Sequence, residues 1–370
     1  MSSYFPVSKL LSIIVPTYNM EAYLDKCLTS LIVGEADSEL MQKLEVLVVN
    51  DGSTDRSPEI SHDYETRYPS TFKVIDKENG NYGSCINAAL PLATGKYVKT
   101  LDADDWFDTE AFKYFLLWLE DKDFDVVFTD YYIVKDGIVS MARKLDFPSN
   151  TELQFANHYH KFFNVNMHRT TYNRKIFEGL DYRQTEGIFY TDGEWMFLPM
   201  SRVTTFIYYP LGIYCYLLGR TGQSMDPEVY QSNFSKRIDL LYSYIHTYTA
   251  CYREGGKRSG ISVNMDFLRI ICLHRAIAIY TSLFRISNKE ERGKHLNQME
   301  DCIHQQYPHF YEELNTASYP TWYVDHLHLS FRIIRTWRRY GIFATKVQMW
   351  LANHNLGIVE RWRRLISGKS

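Results

Sequence analysis

The stretches LSIIVPTYN, residues 11–19, and LEVLVVNDGS, residues 44–53, decide the fold. Each begins with a short apolar, β-branched run and ends in turn-forming residues, a pattern typical of a buried strand that stops at a loop. Between them, Glu21–Leu31 places apolar side chains at helical spacing. A strand, a helix and a second strand in this order predict a βαβ unit with parallel strands.

The same alternation continues along the chain. Apolar runs predict strands and helical spacing predicts helices, in the order Phe72–Ile75, Ser84–Ala93, Tyr97–Leu101, Thr109–Glu120 and Val126–Asp130. This order predicts an α/β fold with a Rossmann-like, mostly parallel open sheet and helices on both faces. In such sheets, ligands bind beyond the carboxyl ends of the strands.

Length and composition set wide limits on the function. A chain of 370 residues predicts two domains, or one large domain with an extension. A change to helical spacing near Asp226 predicts an α/β domain over residues 1–225 and a helical domain over residues 226–370. The formal net charge of -3 gives no reason to expect nucleic-acid binding. Six cysteines without a CxxC pair predict neither a zinc site nor a disulfide framework.

The strongest chemical feature is Asp102-Ala103-Asp104-Asp105, directly after the predicted strand Tyr97–Leu101. Carboxylates this close repel one another unless a hard cation neutralises them, and Mn²⁺ or Mg²⁺ accepts oxygen ligands of this kind. The cluster therefore predicts a divalent cation as cofactor. The alternative is an acidic helix cap, with Asp104 or Asp105 capping the helix near Thr109.

Two further motifs follow strands: Pro16-Thr17-Tyr18-Asn19 and Asn50-Asp51-Gly52-Ser53-Thr54-Asp55. Each is a common turn composition, and Ser53 or Asp55 could cap the next helix. Both lie, like the acidic cluster, at predicted carboxyl ends of strands, where a ligand site is expected.

Taken together, these motifs, with Asn79-Gly80 and Gly95-Lys96-Tyr97, resemble the family 2 glycosyltransferases of GT-A fold over roughly residues 11–225. The resemblance implies a metal-dependent, inverting hexosyl- or N-acetylhexosaminyl-transferase. The expected donor is a nucleotide-sugar, foremost a UDP-sugar. The expected acceptor is a hydroxyl of a glycan, lipid-linked or protein-linked molecule in cell-surface polysaccharide or glycoconjugate synthesis.

The resemblance also implies roles for individual residues. Asp104 would be the principal metal ligand, Asp102 would lie near the ribose and the metal, and Asp105 would support the site. The turn over Pro16–Asn19 would hold the base, with Asp51 hydrogen-bonding a uracil. The full set of implied donor-binding residues is Pro16, Thr17, Tyr18, Asn19, Asp51, Asn79, Gly80, Asp102, Ala103 and Arg220.

The segment Phe189–Trp195 resembles the part of the family that carries the catalytic base. Asp192 is the implied base, because a sugar hydroxyl attacks only as its proton is removed. Glu194 is the fallback, since Thr191 stands where the family usually has Glu. The alternative is a helix cap at Thr191 or Asp192, with Glu194 in the first turn.

Arg220 follows an apolar run and resembles a loop residue that clamps the donor diphosphate. A solvated arginine in a surface turn is the alternative. One departure from the family pattern lies after Asn79-Gly80, where relatives often carry Ser and then Arg-Asn. Here Gly83 and Ile86-Asn87 occupy those positions, so a basic donor contact is missing from this helix.

The last segment, Phe331–Ser370, carries many Arg and Lys residues against Glu360 alone, with Trp337, Trp350 and Trp362 among apolar residues. This composition predicts a helix on an anionic membrane surface; a helical pair docked on the protein is the alternative. The amino-terminal residues lack a secretory pattern, and the longest apolar stretch, Val203–Leu218, is too short to span a membrane. We therefore expect a cytoplasmic protein, with peripheral attachment to the inner face of the membrane as a further option.

Two rival functions remain open at this stage. A nucleotidyltransferase also uses a carboxylate-held metal, but would usually show a basic, Gly-rich loop where Pro16–Asn19 stands. A catalytically silent module would bind nucleotide or glycan without turnover. The oligomeric state is not predicted.

Overall fold

The structure is a computed structural model that describes residues 8–188, 190–220, 223, 234–286, 288–316, 318–319 and 329–330. The chain divides into two compact units, one formed by Met1–Leu240 with Glu254–Leu268 and the other by Leu241–Arg253 with Arg269–Ser370. The predicted domain boundary at residues 225 and 226 lies outside the described residues, as does the basic segment Phe331–Ser370, so both remain predictions.

The first unit is built on one mixed sheet. Its strands are β1 Leu11–Thr17, β2 Leu44–Asp51, β3 Phe72–Lys77, β4 Tyr97–Thr100, β5 Trp106–Phe107, β6 Val126–Lys135, β7 Ile138–Met141, β8 Glu152–Gln154, β9 Thr170–Asn173 and β10 Thr205–Leu218. The order across the sheet is β3-β2-β1-β4-β9-β6-β10-β5, with β7 on β6 and β8 on β10.

The helices of this unit connect the strands. They are α1 Leu24–Thr29, α2 Glu39–Lys43, α3 Ser57–Arg67, α4 Asn81–Ala89, α5 Thr109–Leu119, α6 Asp192–Trp195 and α7 Leu198–Ser201. α4 begins three residues before the predicted start at Ser84, directly after Asn79-Gly80. α2 was not predicted, because its five residues form barely more than one turn.

Strands β3, β2, β1 and β4 pair in parallel, as predicted. The prediction missed β9, which pairs antiparallel with both β4 and β6 and makes the sheet mixed. Its sequence, Thr170-Thr171-Tyr172-Asn173, has no apolar run, although all four residues are buried. Burial of this strand comes from its central place in the sheet rather than from its composition.

The parallel strands of the sheet are buried in the hydrophobic core. Every residue of β1 except Pro16 is buried, as expected for a strand covered on both faces. Ile13 and Val46 pack in one apolar cluster with Phe112 and Phe115 of α5. Complete burial of such a side chain stabilises the fold by about 1.5–3 kcal/mol. This packing fixes the positions at which β1, β2 and β4 end.

The described residues after 233 are mainly helical, which confirms the predicted helical carboxyl-terminal region. Their helices are α8 Phe234–Arg253, α9 Met265–Arg285, α10 Lys289–Gln306 and α11 Pro308–Thr316, with two short strand pairs, β11 Lys257–Arg258 with β12 Ile261–Ser262 and β13 Ser318–Tyr319 with β14 Leu329–Ser330. Within α8, α10 and α11, helix-period apolar residues such as Tyr248, Ile303 and Phe310 are buried.

Among the residues that the structure describes, one helix, α9, has the length and hydropathy of a membrane span. Residues Met265–Phe284 have a mean hydropathy of 1.4, but 59% of this window is buried within the fold. A core helix of a soluble protein meets the same criteria, so this is weak evidence for a span. The stretch that the sequence analysis considered, Val203–Leu218, instead forms strand β10.

Candidate active site

A cavity of about 450 Å³, the donor cavity, lies at the carboxyl ends of β1, β2 and β4. It brings together most of the predicted donor-binding and metal residues, but Gly80 and Asp192 are not among its lining. The lining consists of Pro16, Thr17, Tyr18, Asn19, Met20, Asp51, Asn79, Asn81, Tyr82, Cys85, Asp102, Ala103, Asp104, Tyr216, Arg220 and Gln223.

Strand register places the three motifs side by side. β1 pairs in parallel with β2 on one side and β4 on the other, with Thr17 opposite Asn50 and Ile14 opposite Thr100. Parallel strands that end together present their following turns at the same edge of the sheet. The motifs therefore meet although they lie far apart in the sequence.

The first two turns brace each other through Asn19. Its backbone is left-handed, with φ 52, which asparagine tolerates better than most residues. The Asn19 amide donates to Ser53 Oγ at 3.1 Å, and the Thr54 amide donates to Asn19 Oδ1 at 2.8 Å. Tyr18, 48% exposed, is left at the mouth of the cavity, where its ring is available to stack on a flat ligand.

The capping alternative for the second motif is not realised at the N-cap position, because Arg56 occupies it and makes no side-chain capping bond. Asp55 Oδ1 accepts from the Ser57 amide at the start of α3 at 2.9 Å, and Oδ2 accepts from the Glu21 amide at 2.9 Å. Asp55 therefore joins the two turns and holds the first residue of α3.

Asp51 is buried and surrounded by donors, a group we call the Asp51 cluster: Asp51, Lys77, Gly80 and Asn81. Asp51 Oδ1 accepts from Lys77 Nζ at 2.6 Å and from the Gly80 amide at 2.9 Å, and Oδ2 accepts from the Asn81 amide at 2.9 Å. These bonds attach the start of α4 to the end of β2. The predicted role of Asp51 toward a base is not tested by this geometry.

The departure from the family pattern at α4 has a structural reason. A Cβ at Gly83 would lie 2.1 Å from the Thr185 carbonyl oxygen, and Ile86 is fully buried. Asn87 exchanges two hydrogen bonds with the Gln184 backbone, each of 2.9 Å. This helix therefore packs on the loop around residue 185, and Lys77, from β3, supplies a basic group close by.

The second group of carboxylates, the Asp102 cluster, consists of Asp102, Asp104 and Asp105. Asp102 Oδ1 is buried and has no hydrogen-bond partner in the part of the chain that the structure describes. Burial, followed by the charges of Asp105 and Asp104, raises the pKa of Asp102 well above its usual value. An acceptor in this condition is destabilising unless a cation or donor approaches it.

The alternative that Asp104 or Asp105 caps the next helix is wrong. Asp108 caps α5, accepting from the Ala111 amide at 3.0 Å. Asp105 instead accepts from the Tyr214 hydroxyl at 2.6 Å and from the Leu217 amide at 2.7 Å, so it holds strand β10. Burial and the nearby Asp104 raise the pKa of Asp105 also.

Arg220 and Asp104 form an ion pair across the cavity wall, with 2.9 Å between Nε and Oδ2. The Arg220 side chain is only 19% exposed and lies over the ring of Tyr23. The alternative of a solvated surface arginine is therefore wrong. The predicted metal ligand and the predicted diphosphate clamp are direct neighbours.

Asp102 lies beside two other potential ligands of a divalent cation, and the predicted principal ligand Asp104 is not in this group. Single ligand atoms of Asp102, Asp105 and His168 lie within 4.8 Å of one another. Burial, with the charges of Lys99 and Arg169, lowers the pKa of His168 to about 3, so its imidazole is in the neutral form that binds metals. Its Nδ1 is buried with no hydrogen-bond partner among the described residues.

Comparison with known proteins agrees with this geometry. Residues 12–181 match the family model described as glycosyl transferase family 2. The matched segment is a little under half of the chain, and it contains the three turns that meet at the donor cavity.

Curated relatives match over part of their length. The uncharacterized glycosyltransferase MG025 of Mycoplasma genitalium is 42% identical over 110 residues, which cover 29% of this chain and 36% of that relative. The chondroitin synthase of Pasteurella multocida is 30% identical over 204 residues, 53% of this chain and 19% of that relative. The match therefore spans about a third or less of these relatives' length.

Among solved structures, residues 1–349 of S. aureus TarS in complex with UDP-GlcNAc superpose with a TM-score of 0.64. The match is 17% identical and covers 94% of this chain and 92% of that chain. At this identity the likeness shows the fold, which is the GT-A fold that the sequence predicts.

Asp192 and Glu194 lie beyond the matched family 2 segment, on α6. Asp192 is exposed. The pKa values of the cavity residues Tyr82 and Tyr216 are raised mainly by burial, next by charges of the Asp102 cluster and then by the charge of Asp192. Glu194 is buried and accepts from the Thr185 amide and hydroxyl at 2.6 and 2.8 Å. Geometry therefore favours Asp192 as the group available to an acceptor.

The capping alternative for this segment is half correct. Thr191 does precede α6, but its side chain makes no capping hydrogen bond. Sequence reasoning missed Lys77 and His168. A lysine at the end of the third predicted strand was a usable signal for the first. His168 lies in Asn166–Thr171, a segment that resembles the acceptor-cleft region of the family but is too generic in composition to assign roles, and its approach to Asp102 depends on the unpredicted strand β9.

Proposed function

We propose that this protein is a metal-dependent, inverting glycosyltransferase that moves one sugar from a UDP-sugar to an acceptor hydroxyl. The observation that carries the proposal is the donor cavity, where the three predicted turns meet and where Asp102 Oδ1 has no hydrogen-bond partner among the described residues. The match of residues 12–181 to the family model supports it. Because a structural neighbour was solved with UDP-GlcNAc, a UDP-N-acetylhexosamine is the first donor to test.

A divalent cation, Mn²⁺ or Mg²⁺, fits the Asp102 cluster. Asp104 and Asp102 would hold it, with His168 as an additional neutral ligand, and the bound ion would act as a Lewis acid on the leaving diphosphate. Asp105 is the least suited of the carboxylates, because both of its oxygens already accept hydrogen bonds from β10.

The residues of this chain would act as follows. Tyr18 packs on the base. Arg220 leaves its ion pair with Asp104 and binds the donor diphosphate, whose negative charge grows as it leaves. Asp192 takes the proton of the acceptor hydroxyl. The hydroxyl oxygen bonds to the anomeric carbon, the bond from that carbon to the diphosphate oxygen breaks, and the nucleoside diphosphate departs with the bonding electrons.

The rival functions explain less of the site. A nucleotidyltransferase has no use for an exposed carboxylate beside the cavity, and the turn after β1 carries no basic residue over Pro16–Asn19. A silent binding module would retain the cost of the buried, unpartnered Asp102 oxygen without benefit. The acceptor class, the cytoplasmic location and membrane contact by Phe331–Ser370 are further parts of the proposal.

Nucleoside diphosphate release tests this function directly. Release is measured from a panel of UDP- and GDP-sugars with Mn²⁺, Mg²⁺ or EDTA, for the wild type, Asp104→Ala and Asp192→Asn. Asp123→Asn is the matched control, since Asp123 is an exposed carboxylate that pairs with Lys96 outside the cavity lining.

We expect metal-dependent release from one donor, lost in Asp104→Ala and retained in Asp123→Asn. Donor binding without release across the whole panel, with cell-extract acceptors present, would replace the transferase by the silent binding module. Equal release with EDTA would remove the metal from the proposal.

A further inference from the structure

A second cavity, of about 510 Å³, shares no lining residue with the donor cavity. It lies beside β6, around the 3₁₀ turn Met167–Arg169 and the segment after β7. Its lining consists of Tyr131, Arg143, Lys144, Leu145, Asp146, Phe147, His160, Lys161, Val165, Asn166 and Arg169. The proposed function assigns no role to this cavity, which we call the basic cavity.

The charges of the basic cavity are not balanced. Lys161 pairs with Asp146 at 3.1 Å, and the buried Arg169 pairs with Asp130 at 2.7 Å. Arg143 and Lys144 are exposed and have no carboxylate partner within the residues that the structure describes. Two neighbouring cations at the rim of a cavity attract an anionic group.

The cavity also offers hydrogen bonds to an uncharged polar group. Asn166 Oδ1 is buried and lacks a hydrogen-bond partner among the described residues, while Asn166 Nδ2 donates to the Tyr131 hydroxyl at 3.1 Å. Because the Tyr131 oxygen accepts that bond, its proton stays available for donation. A sugar hydroxyl satisfies both atoms, since it donates to one and accepts from the other.

Aromatic rings connect the basic cavity with the donor cavity. Tyr131 lines the first and Tyr216 the second, and the ring of His168 lies between them, 5.3 Å from Tyr131 and 4.4 Å from Tyr216 between centroids. Strands β6 and β10, which carry the two tyrosines, are paired. A glycan chain of a few sugars that fills the basic cavity would therefore end close to the donor cavity.

We propose that the basic cavity binds an acidic sugar unit of the acceptor, one that carries a carboxylate or phosphate, with Arg143 and Lys144 on the anionic group and Asn166 on a hydroxyl. This rests on the proposed function and names the class of acceptor. Arg169, held by Asp130 and the Thr129 carbonyl, would position the cavity wall rather than contact the ligand.

Binding of small probes to the full chain tests the assignment. Glucuronate, glucose 6-phosphate and glucose are compared by saturation-transfer NMR, with UDP binding measured in parallel. The variants are Arg143→Glu with Lys144→Glu, the milder Lys144→Gln, and the control Lys135→Glu, an exposed lysine of β6 outside the cavity lining.

We expect the two acidic sugars to bind more tightly than glucose, and their relative affinities to distinguish a carboxylate from a phosphate. The double variant should weaken acidic-sugar binding by about tenfold or more. Lys144→Gln should weaken it by about two- to fivefold. Lys135→Glu should leave it unchanged, and UDP binding should be unchanged in all variants.

Equal binding of glucose and glucuronate, or acidic-sugar binding that the double variant retains, would overturn the inference. Loss of both acidic-sugar and UDP binding in the double variant points to misfolding, and Lys144→Gln then decides. If the protein turns over a donor but binds glucose as tightly as the acidic sugars, only this inference is refuted. Acid-selective binding without turnover of any donor would refute the transferase function and, with it, the assignment of the sugar as an acceptor.

Discussion

Asp51 and Asp102 lie at the ends of β2 and β4, on opposite sides of β1, yet their surroundings differ. The Asp51 carboxylate accepts from a lysine and two backbone amides. Asp102 has a buried oxygen with no partner among the described residues, and two further carboxylates close by. An acidic residue at a strand end can thus have its oxygens satisfied by the protein or keep an oxygen without a hydrogen-bond partner. The donors around the carboxylate distinguish the two cases.

The difference assigns different work to the two clusters. In the Asp51 cluster the protein supplies its own cation, Lys77, so the arrangement is stable without a ligand. In the Asp102 cluster a single arginine, Arg220, faces several carboxylates. We therefore expect the Asp51 cluster to maintain the shape of the donor cavity, and we propose that the Asp102 cluster is stabilised by a bound cation and donor.

The largest expected effect concerns a third carboxylate, Asp192, which has neither the partners of Asp51 nor the burial of Asp102. Asp192→Asn should lower the rate of sugar transfer by about 10²–10⁴-fold, because proton removal from the acceptor is lost. Donor binding should persist. The measurement is transfer rate at saturating donor, with UDP affinity as a control.

Glu194→Gln is the matched variant for that experiment. Because Glu194 holds the loop at Thr185, we expect lower stability and a much smaller change in rate. A larger rate loss in Glu194→Gln than in Asp192→Asn, with both variants folded, would reverse their roles.

The next largest effect tests the consequence of the unpartnered oxygen of Asp102. Asp102→Asn should lower donor hydrolysis by about 10²–10³-fold, because it removes a carboxylate that would hold the cation against the departing diphosphate. Its thermal stability without ligand should stay equal or rise, since a buried acid without a partner is replaced by a neutral amide. A strong loss of stability instead would show that Asp102 is as structural as Asp51.

The converse substitution, Asp51→Asn, should act mainly on stability. It leaves Lys77 without its carboxylate and should lower the free energy of unfolding by about 1–3 kcal/mol. Urea denaturation without ligand measures this change. Unchanged stability with abolished donor binding would show that Asp51 serves the base rather than α4.

The smallest expected effect concerns His62. His62 is bonded to Glu65 and Asp76, each at 3.0 Å, and Asp76 also accepts from Asn50. The hydrogen bond to Glu65 is the main cause that raises the pKa of His62, with Asp76 adding to it against partial burial.

Since the folded pKa is raised, this stabilisation is complete below about pH 6.5 and is lost as pH rises through the folded value. His62→Asn should therefore cost stability at pH 5.5 and almost none at pH 8. The side chain is 48% exposed, so the difference should be no more than about 0.5 kcal/mol. Equal losses at both pH values would show that the ion pairs contribute nothing.

Much of the donor cavity was predictable, because each of its turns directly follows a predicted strand. Pro16–Asn19, Asp51 and Asp102–Asp104 follow apolar runs whose pairing places them at one edge, and the structure brings them together as predicted. The basic cavity was not predictable. Arg143, Lys144 and Asn166 lie on irregular segments without periodicity. The pairing of β7 with β6 brings the first two beside β6, and the turn before β9 brings Asn166 there.

By itself the sequence determined the main alternation of strands and helices from β1 to β6, the resemblance of this region to family 2 glycosyltransferases and the identity of the carboxylates near the donor cavity, since these depend on local pattern and residue type. Tertiary structure alone decided which carboxylates keep an unpartnered oxygen. Asp51, Asp105 and Glu194 accept from donors on other segments, whereas Asp102 Oδ1 has no partner among the described residues. Hydrogen-bond satisfaction depends on groups brought close by packing, and no local pattern records it.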